Sequence, residues 1–378
     1  MKLGAYITQT DERNTDLAVT NHLGVSIEKR FVPSIANTVG TDLSKYKVVH
    51  PGEFAYGPVT SRNGDKVSIA HLQGDACIIS SSYTSFRVID DALNPDYLML
   101  WFMRPEFDRY ARFKSHGSAR EIFDWEQLCD VDLPIPSLTE QQKIVDSFKA
   151  IDDRISALQQ LNDKLAAYIS TLFDESFGAV VVGNNCLPDG WLRDEASNFY
   201  DISIGKTPPR ARIDCFTTSA SDVKWVSISD MGSNGLFILD TSEKLTQNAI
   251  DEFKVKVVPA GTVLYSFKMT NGRTSITTDE CATNEAIAHF KSSDLALSYY
   301  AYCYLNAFRF SELGSTSSIS EAVNSKIIKS MPFVMPPGRE LTGFASRTEP
   351  AFILIKLNLI ELRRLDETKA MMLVALGS

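Results

Sequence analysis

The chain has 378 residues, a length that suggests about two domains. Hydrophobic residues make up 44%, which supplies material for sizeable cores and excludes disorder by composition. The net charge of −9 argues against nucleic acid unless the basic residues concentrate locally or partners share the phosphate contacts.

The opening MKLGAYITQTDERN is interrupted by charge early, and no apolar run of signal length follows, so no secretory signal is expected. The most apolar stretch, residues 97–103, stops at Arg104 and Pro105, far short of the roughly 20 apolar residues of a membrane span. A soluble, cytoplasmic protein is expected. Cys77, Cys129, Cys186, Cys215, Cys281 and Cys303 form no CxxC pair, so they read as single buried thiols in a reducing compartment and not as a zinc site. The histidines show no ligand spacing, and no metal is expected.

An internal repeat dominates the sequence. Residues 48–56 (VVHPGEFAY) and 257–265 (VVPAGTVLY) are alternating, strand-like segments entered through a Pro/Gly turn. Aromatic helical stretches follow from Tyr97 (YLMLWFM) and Tyr299 (YAYCYLNAF). Next come the loops Gly117-Ser118-Ala119-Arg120 and Gly314-Ser315-Thr316-Ser317, followed by Ile122 or Ile319. Leu133-Pro134-Ile135-Pro136 and Phe333-Val334-Met335-Pro336 then lead into a long helix in each half.

The two helices match in phase. In the first, Ile144, Ile151, Leu158, Leu165 and Leu172 recur every seven residues, with Phe148, Ile155, Asn162 and Ile169 interleaved. Two hundred positions on, Phe344, Ala351, Asn358, Leu365 and Met372 alternate with Thr348, Ile355, Leu362 and Lys369. This is an a/d seam, weaker in the second copy, and one asparagine sits in each, a residue type that can fix register at a cost in stability. Thr139 with Gln142 has capping-box spacing, and Pro350 predicts a kink or restart with Thr348 as a possible cap. The boundaries read as a globular unit over 1–138, a helix over 139–177, a linker over 178–186, a second unit over 187–337 and a final helix and tail over 338–378. The fold expected is α+β, with two similar mixed units and two long antiparallel helices in a coiled coil related by a pseudo-two-fold repeat. Each helix of 38 or so residues spans about 57 Å, enough to set the ~34–36 Å spacing on which bipartite DNA sites repeat.

Candidate contacts follow from charge and turn chemistry. Residues 104–120 hold Arg104, Arg109, Arg112, Lys114 and Arg120, with Phe107, Tyr110 and Phe113 read as core aromatics of an amphipathic helix. Lys114, His116, Ser118 and Arg120 read as loop residues reaching DNA. Arg62 and Asn63 in the turn 60–64, and Lys268, Asn271 and Arg273 in the turn 268–273, pair Arg and Asn chemistry suited to guanine and adenine. Each turn reads equally as a solvated hairpin. Lys206, Arg210 and Arg212 form a further cluster open to phosphate, and Ser315 and Thr316 are the second-half loop counterparts. No metalloprotease helix, P-loop, nucleophile elbow, amino-methyltransferase motif or S-adenosylmethionine loop is present. Glu252-Phe253-Lys254 with Asp240 is an acid-x-Lys pattern of the kind that recurs by chance.

The order strand, Gly-Ser loop, apolar-Pro, PIPSLTEQQKI (residues 134–144) and long heptad helix, occurring twice, resembles the specificity subunit of type I restriction-modification systems. The openings Lys2-Leu3-Gly4 and Gly190-Trp191 with Ile204-Gly205-Lys206-Thr207-Pro208 fit it too, and the resemblance covers essentially the whole chain. The second copy lacks the EQ pair, reading Gly338-Arg339-Glu340, and carries Pro350. The resemblance implies two target-recognition domains, each reading half of an asymmetric gapped DNA site, with the helices as spacers. It implies two methyltransferase subunits using S-adenosylmethionine, restriction subunits using ATP and Mg, and no catalytic centre in this chain. The alternative is a coiled-coil adaptor that never reads DNA, which the acidic charge favours.

Overall fold

The computed structural model describes every residue except 38–39, 62, 65, 118–119, 183–186, 269, 271, 309–324 and 378. Arg62, Ser118, Asn271, Ser315 and Thr316 lie outside the described residues. The chain divides into two compact units, Met1–Ser156 with Arg364–Ser378, and Ala157–Arg363.

The first unit contains β1 (Ile7–Thr10), β2 (Leu23–Val25), β3 (Phe31–Pro33), β4 (Lys47–Val49), β5 (Phe54–Tyr56), β6 (Ile69–His71), β7 (Cys77–Ile79) and β8 (Thr84–Val88). Its main sheet has the order β1-β8-β5-β6, all antiparallel, beside the pairs β2-β3 and β4-β7. Side chains alternate across a strand, and β5 uses both faces. Phe54 and Tyr56 pack with Phe86, Phe102 and Phe123, while Ala55 joins Val49, Ala70 and Cys77 on the other side. Helices α1 (Pro95–Met103), α2 (Pro105–Lys114) and α3 (Trp125–Cys129) follow. Asn94 caps α1 by accepting from the N–H groups of Asp96 and Tyr97. Pro105 ends α1, because the residue before a proline is driven out of helical conformation, and Arg104 is extended.

Helix α4 (Leu138–Phe173) passes into a π-type turn over Asp174–Gly178 and then α5 (Ala179–Val182). Its start differs from the Thr139/Gln142 expectation. Ser137 and Glu140 form the reciprocal pair, each side chain bonding the other's backbone N–H. Gln141 is fully buried; its amide donates to the carbonyls of Ala92 and Pro136 and accepts from the Asn94 N–H, each at 2.8 Å.

The second unit contains β9 (Leu192–Glu195), β10 (Asp201–Ile204), β11 (Phe216–Thr217), β12 (Val223–Val226), α6 (Ile228–Asn234), β13 (Phe237–Ile238), β14 (Glu243–Leu245) and α7 (Gln247–Phe253). It continues with β15 (Val263–Ser266), β16 (Thr274–Thr277), β17 (Cys281–Thr283), β18 (Ile287–Lys291), α8 (Leu295–Ala307), α9 (Ser325–Lys329), β19 (Pro332–Met335) and α10 (Gly338–Ala375). The larger sheet runs β10-β18-β15-β16-β13. Its first four strands repeat the order β1-β8-β5-β6, again antiparallel. β15 repeats the division of β5, with Val263 and Tyr265 on one core and Leu264 on another. The internal repeat is therefore present in topology and packing. The second unit also carries a further sheet, β11-β14-β12-β17, of which β11, β12 and β14 lie between β10 and β15 in sequence and β17 between β16 and β18.

The seam is legible in burial. From Gln142 to Thr171 every a/d position, Ile144, Phe148, Ile151, Ile155, Leu158, Asn162, Leu165 and Ile169, is at least partly buried, and Leu172 follows buried. Val145 is the only other residue of that span not exposed. In the second unit Phe173 meets Phe344 at 6.0 Å, and Asn358 Nδ2 donates to Asn162 Oδ1 at 2.8 Å, so the two helices run antiparallel. In the first unit Lys369 pairs with Asp152 in the same inverse order. On α10, Phe344, Thr348, Ala351, Ile355 and Asn358 are buried, while Leu362, Leu365, Lys369 and Met372 are half-buried.

No restart occurs at Pro350, and α10 is one uninterrupted helix. Pro350 leaves the Ser346 carbonyl without its helical donor, but both residues are exposed, where water replaces the lost bond. Thr348 is no cap: its buried hydroxyl donates to Phe344 O at 3.0 Å. Among the described residues, no helix is long and apolar enough to cross a membrane.

Candidate nucleic-acid interface

In the first unit the structure brings together the two candidate segments. Thr60 N–H donates to Glu121 O at 3.0 Å, and its hydroxyl to Ser115 Oγ at 2.9 Å. His116 and Ile122 exchange backbone bonds, and Phe123 N–H donates to Pro58 O. Gly117 must be glycine: at φ +124 a Cβ there would lie 2.2 Å from Arg120 O. Asn63 is half-buried, its amide 3.4 Å from Val59 O. Lys114 lies 3.7 Å from Asp130, and Gln127 Nε2 donates to His116 Nδ1 at 2.9 Å, which leaves the proton on Nε2. Arg120 is exposed and its guanidinium has no partner among the described residues.

The rest of the basic stretch divides. Arg104 is buried, stacks on Trp101 at 4.1 Å and donates to Leu373 O at 3.0 Å, so it caps the end of α10. Arg109 pairs with Glu106 at 2.8 Å, and Arg112 with Glu121. The reading of all three α2 aromatics as core needs correction. Phe107 is 3% exposed but Phe113 is 84% exposed. The α2 stripe is Phe107, Asp108 and Ala111, and Phe113 sits about 200° around the helix from Ala111. Counting residues per turn would have found it.

In the second unit, residues 267–273 join β15 to β16. Gly272 N–H bonds Ser266 O, and Arg273 N–H bonds Ser266 Oγ, which itself donates to Thr270 O at 2.6 Å. Arg273 points inward: Nη1 donates to Ile228 O at 2.5 Å and the guanidinium lies against Gly232 of α6. Lys268 lies over the Phe267 ring at 5.5 Å. The Lys206, Arg210 and Arg212 cluster is committed internally. Lys206 donates to Phe253 O at 2.6 Å. Arg210 forks onto Glu243 at 2.8 and 2.9 Å and stacks on Phe216 and Trp225. Arg212 bonds Asp214 and Glu252, which raises its own pKa and depresses that of Asp214. These carboxylates neutralise the charge that phosphate would require.

The acid-x-Lys residues are dispersed in ion pairs. Asp240 pairs with Arg363 at 2.8 Å and Glu252 with Arg212, while Lys254 ends α7 in left-handed conformation. Among the described residues, no cluster of His, Cys, Asp and Glu could hold a metal ion.

Two mixed units with a common strand order and two paired helices define the class. Residues 52–167, from the turn before β5 into α4, match the family model of the type I restriction modification DNA specificity domain. The chain is 21% identical over 402 residues to the type I restriction enzyme HindI specificity subunit of Haemophilus influenzae, covering 86% of each. It is 23% identical over 284 residues to the MjaIX specificity subunit of Methanocaldococcus jannaschii, covering 69% of this chain and 63% of that one. The S subunit structure of the type I system from M. genitalium superposes with TM-score 0.57 at 13% identity, covering 100% of this chain and 95% of that chain, and so shares the fold. Residues 52–167 thus match the specificity-domain family, and the chain is similar to type I restriction-modification specificity subunits, as the sequence resemblance indicated.

Proposed function

We propose that the chain is the DNA-reading, non-catalytic subunit of a type I complex. Each unit contacts one half of a bipartite, gapped site. The paired α4 and α10 helices set the gap and dock two methyltransferase subunits. S-adenosylmethionine, ATP and Mg then belong to methyltransferase and restriction partners. The observation carrying this reading is the repeated strand order, each copy feeding one of two paired helices, in a chain that matches a specificity domain.

Within the first unit the interface is Asn63, Lys114, His116 and Arg120, joined by Arg62 and Ser118. In the second, Lys268 and Asn271 of the 267–273 loop lead, with Ser315 and Thr316. Arg273, Lys206, Arg210 and Arg212 take supporting places because their heads are already bonded. The reading is tested by footprinting with the methyltransferase subunits present and by mapping adenine methylation with and without this gene. A bipartite footprint and a gapped methylated motif are expected. Arg120→Ala should lower the slope of log affinity against log salt by about one, whereas Arg212→Ala should leave it nearly unchanged. Removing one heptad from residues 144–172 with its counterpart in α10 should change the gap and keep the bases read.

The adaptor reading is favoured by the net charge of −9 and by the internal pairing of Arg210 and Arg212. Protein partners retained with no footprint at any gap would decide for it.

A further inference from the structure

Within the second unit, helix α6 is held from two sides. On one side is the loop joining β15 to β16. Ser266 is fully buried and closes that loop, accepting from Arg273 N–H and donating to Thr270 O. The Arg273 side chain then leaves the loop and bonds Ile228 O, in the first turn of α6. A Cβ at Gly232 would lie 2.7 Å from Arg273 Nη1 and 2.9 Å from its Cζ, so the guanidinium uses the space that the glycine leaves open. Ser275 ties β16 to the end of the same helix, donating to Gly235 O at 2.6 Å.

On the other side is the turn joining β13 to β14. Asn234, the last residue of α6, has its amide saturated there. It donates to Asp230 O and Asp240 O and accepts from the N–H groups of Leu239 and Asp240. Asp230 is buried, forms a capping box with Ser227 and also accepts from Ser242 N–H at 2.9 Å. Bonds of this kind fix direction as well as distance. The turn is bonded onward to α10, for the Asp240 carboxylate meets Arg363 at 2.8 Å and Lys244 at 3.6 Å. Burial would raise the Asp240 pKa, yet the Thr241 N–H and these two cations hold it below the usual carboxylate range. A continuous line of bonds therefore runs from Arg273 through α6 and the 239–242 turn to Arg363. Among the described residues no α-helix lies between β1 and β8, so the first unit has no such line.

We propose that Arg273 and Arg363 are positioning residues for recognition by the second unit: acting through α6, they fix the 267–273 loop relative to α10, and neither touches DNA. This rests on the DNA-reading function above. Reading a base edge by paired hydrogen bonds requires the reading group to be placed within about 0.5 Å. An arginine whose head is bonded to a helix inside its own unit cannot supply the reading contact, but it can supply that placement.

The test uses the full complex with methyltransferase subunits and duplexes that carry each single base change in either half-site. Discrimination is read as the ratio of affinities for the matched and the changed duplex. Arg273→Ala should lower it about tenfold at one or more positions of the second half-site and leave the first half-site and the gap unchanged. The slope of log affinity against log salt should stay as it was. Gly232→Ala keeps Arg273 but pushes its flexible head aside, and should give the same loss with the second unit fully folded. Arg273→Lys can still reach Ile228 O and should recover most of the discrimination. Arg363→Ala should affect the same positions, and the double variant with Arg273→Ala should lose less than the product of the two fold-losses. A slope lower by about one in Arg273→Ala shows a phosphate contact and overturns the positioning role. Unchanged ratios beside weaker binding or a lower melting temperature assign the arginines to stability alone and overturn it equally. Losses that simply multiply separate Arg363 from Arg273 and overturn the link through α6. Absence of any footprint in the unaltered complex overturns the function itself.

Discussion

The two units meet one structural demand with different chemistry. Where α4 leaves the first unit, Gln141 is buried and its amide makes three hydrogen bonds to the segment before α1 and to Pro136. Two hundred positions on, Leu341 occupies the matching turn of α10, buried at 7% exposure against an apolar cluster with Phe344 and Tyr300. A saturated amide fixes direction, whereas an apolar contact fixes only proximity. The missing EQ pair of the second copy is therefore a change from polar to apolar anchoring, and the helix start is kept. The same contrast separates the candidate interfaces. Arg120 of the first unit has no partner among the described residues, while Arg210 and Arg212 of the second hold carboxylates.

This comparison is most severely tested by Phe352→Ala. Phe352 is 0% exposed and stacks on Tyr299 at 4.1 Å. The loss should be about 3–5 kcal/mol, confined to the second unit in denaturant unfolding followed by hydrogen exchange. Equal loss of protection in the first unit would show that the units are not energetically separate.

Next, Gln141→Leu makes the first helix entry like the second. It strands the Asn94 N–H and the Ala92 carbonyl and should cost about 1–3 kcal/mol. A neutral outcome, measured by the same unfolding, would show that the polar anchor is dispensable. A smaller effect is expected for Asn358→Leu, which removes the amide partner of the half-buried Asn162. Stability should move by under about 1.5 kcal/mol, but register should loosen. A broadened spin-label distance between positions 152 and 369 would report that loosening, and an unchanged distribution would remove the register role.

The smallest effect at neutral pH belongs to His289, fully buried between two hydroxyls. Thr283 Oγ1 donates onward to Asn284 O, so it accepts from Nε2–H, and Ser203 donates to Nδ1. Burial, then Lys291 and Lys256, lower the pKa from 6.5 to about 3. With a folded pKa below the unfolded one, the unfolded state takes the proton first. Stability contributed by neutral His289 is complete above pH 6.5 and declines as pH falls toward 3. His289→Gln should flatten this limb of the stability profile of the second unit, and an unaltered slope would assign acid unfolding to other groups.

The repeat, the two seams and the strand-turn segments were legible because they are periodic, and periodicity is a property of the chain before it folds. The heptads named the buried face of α4 almost residue for residue, since a helix with such a seam must cover it. Tertiary structure alone decided what a proline or a charge would do in its surroundings. Pro350 does not interrupt α10 because the Ser346 carbonyl it leaves unbonded is on an exposed residue, and Phe113 escapes the core because it lies off the buried stripe. Arg104, Arg210, Arg212 and Arg273 read as free cations in the sequence. Each is held by a carboxylate, ring or carbonyl far away in the chain, and such partners are fixed only when the fold closes.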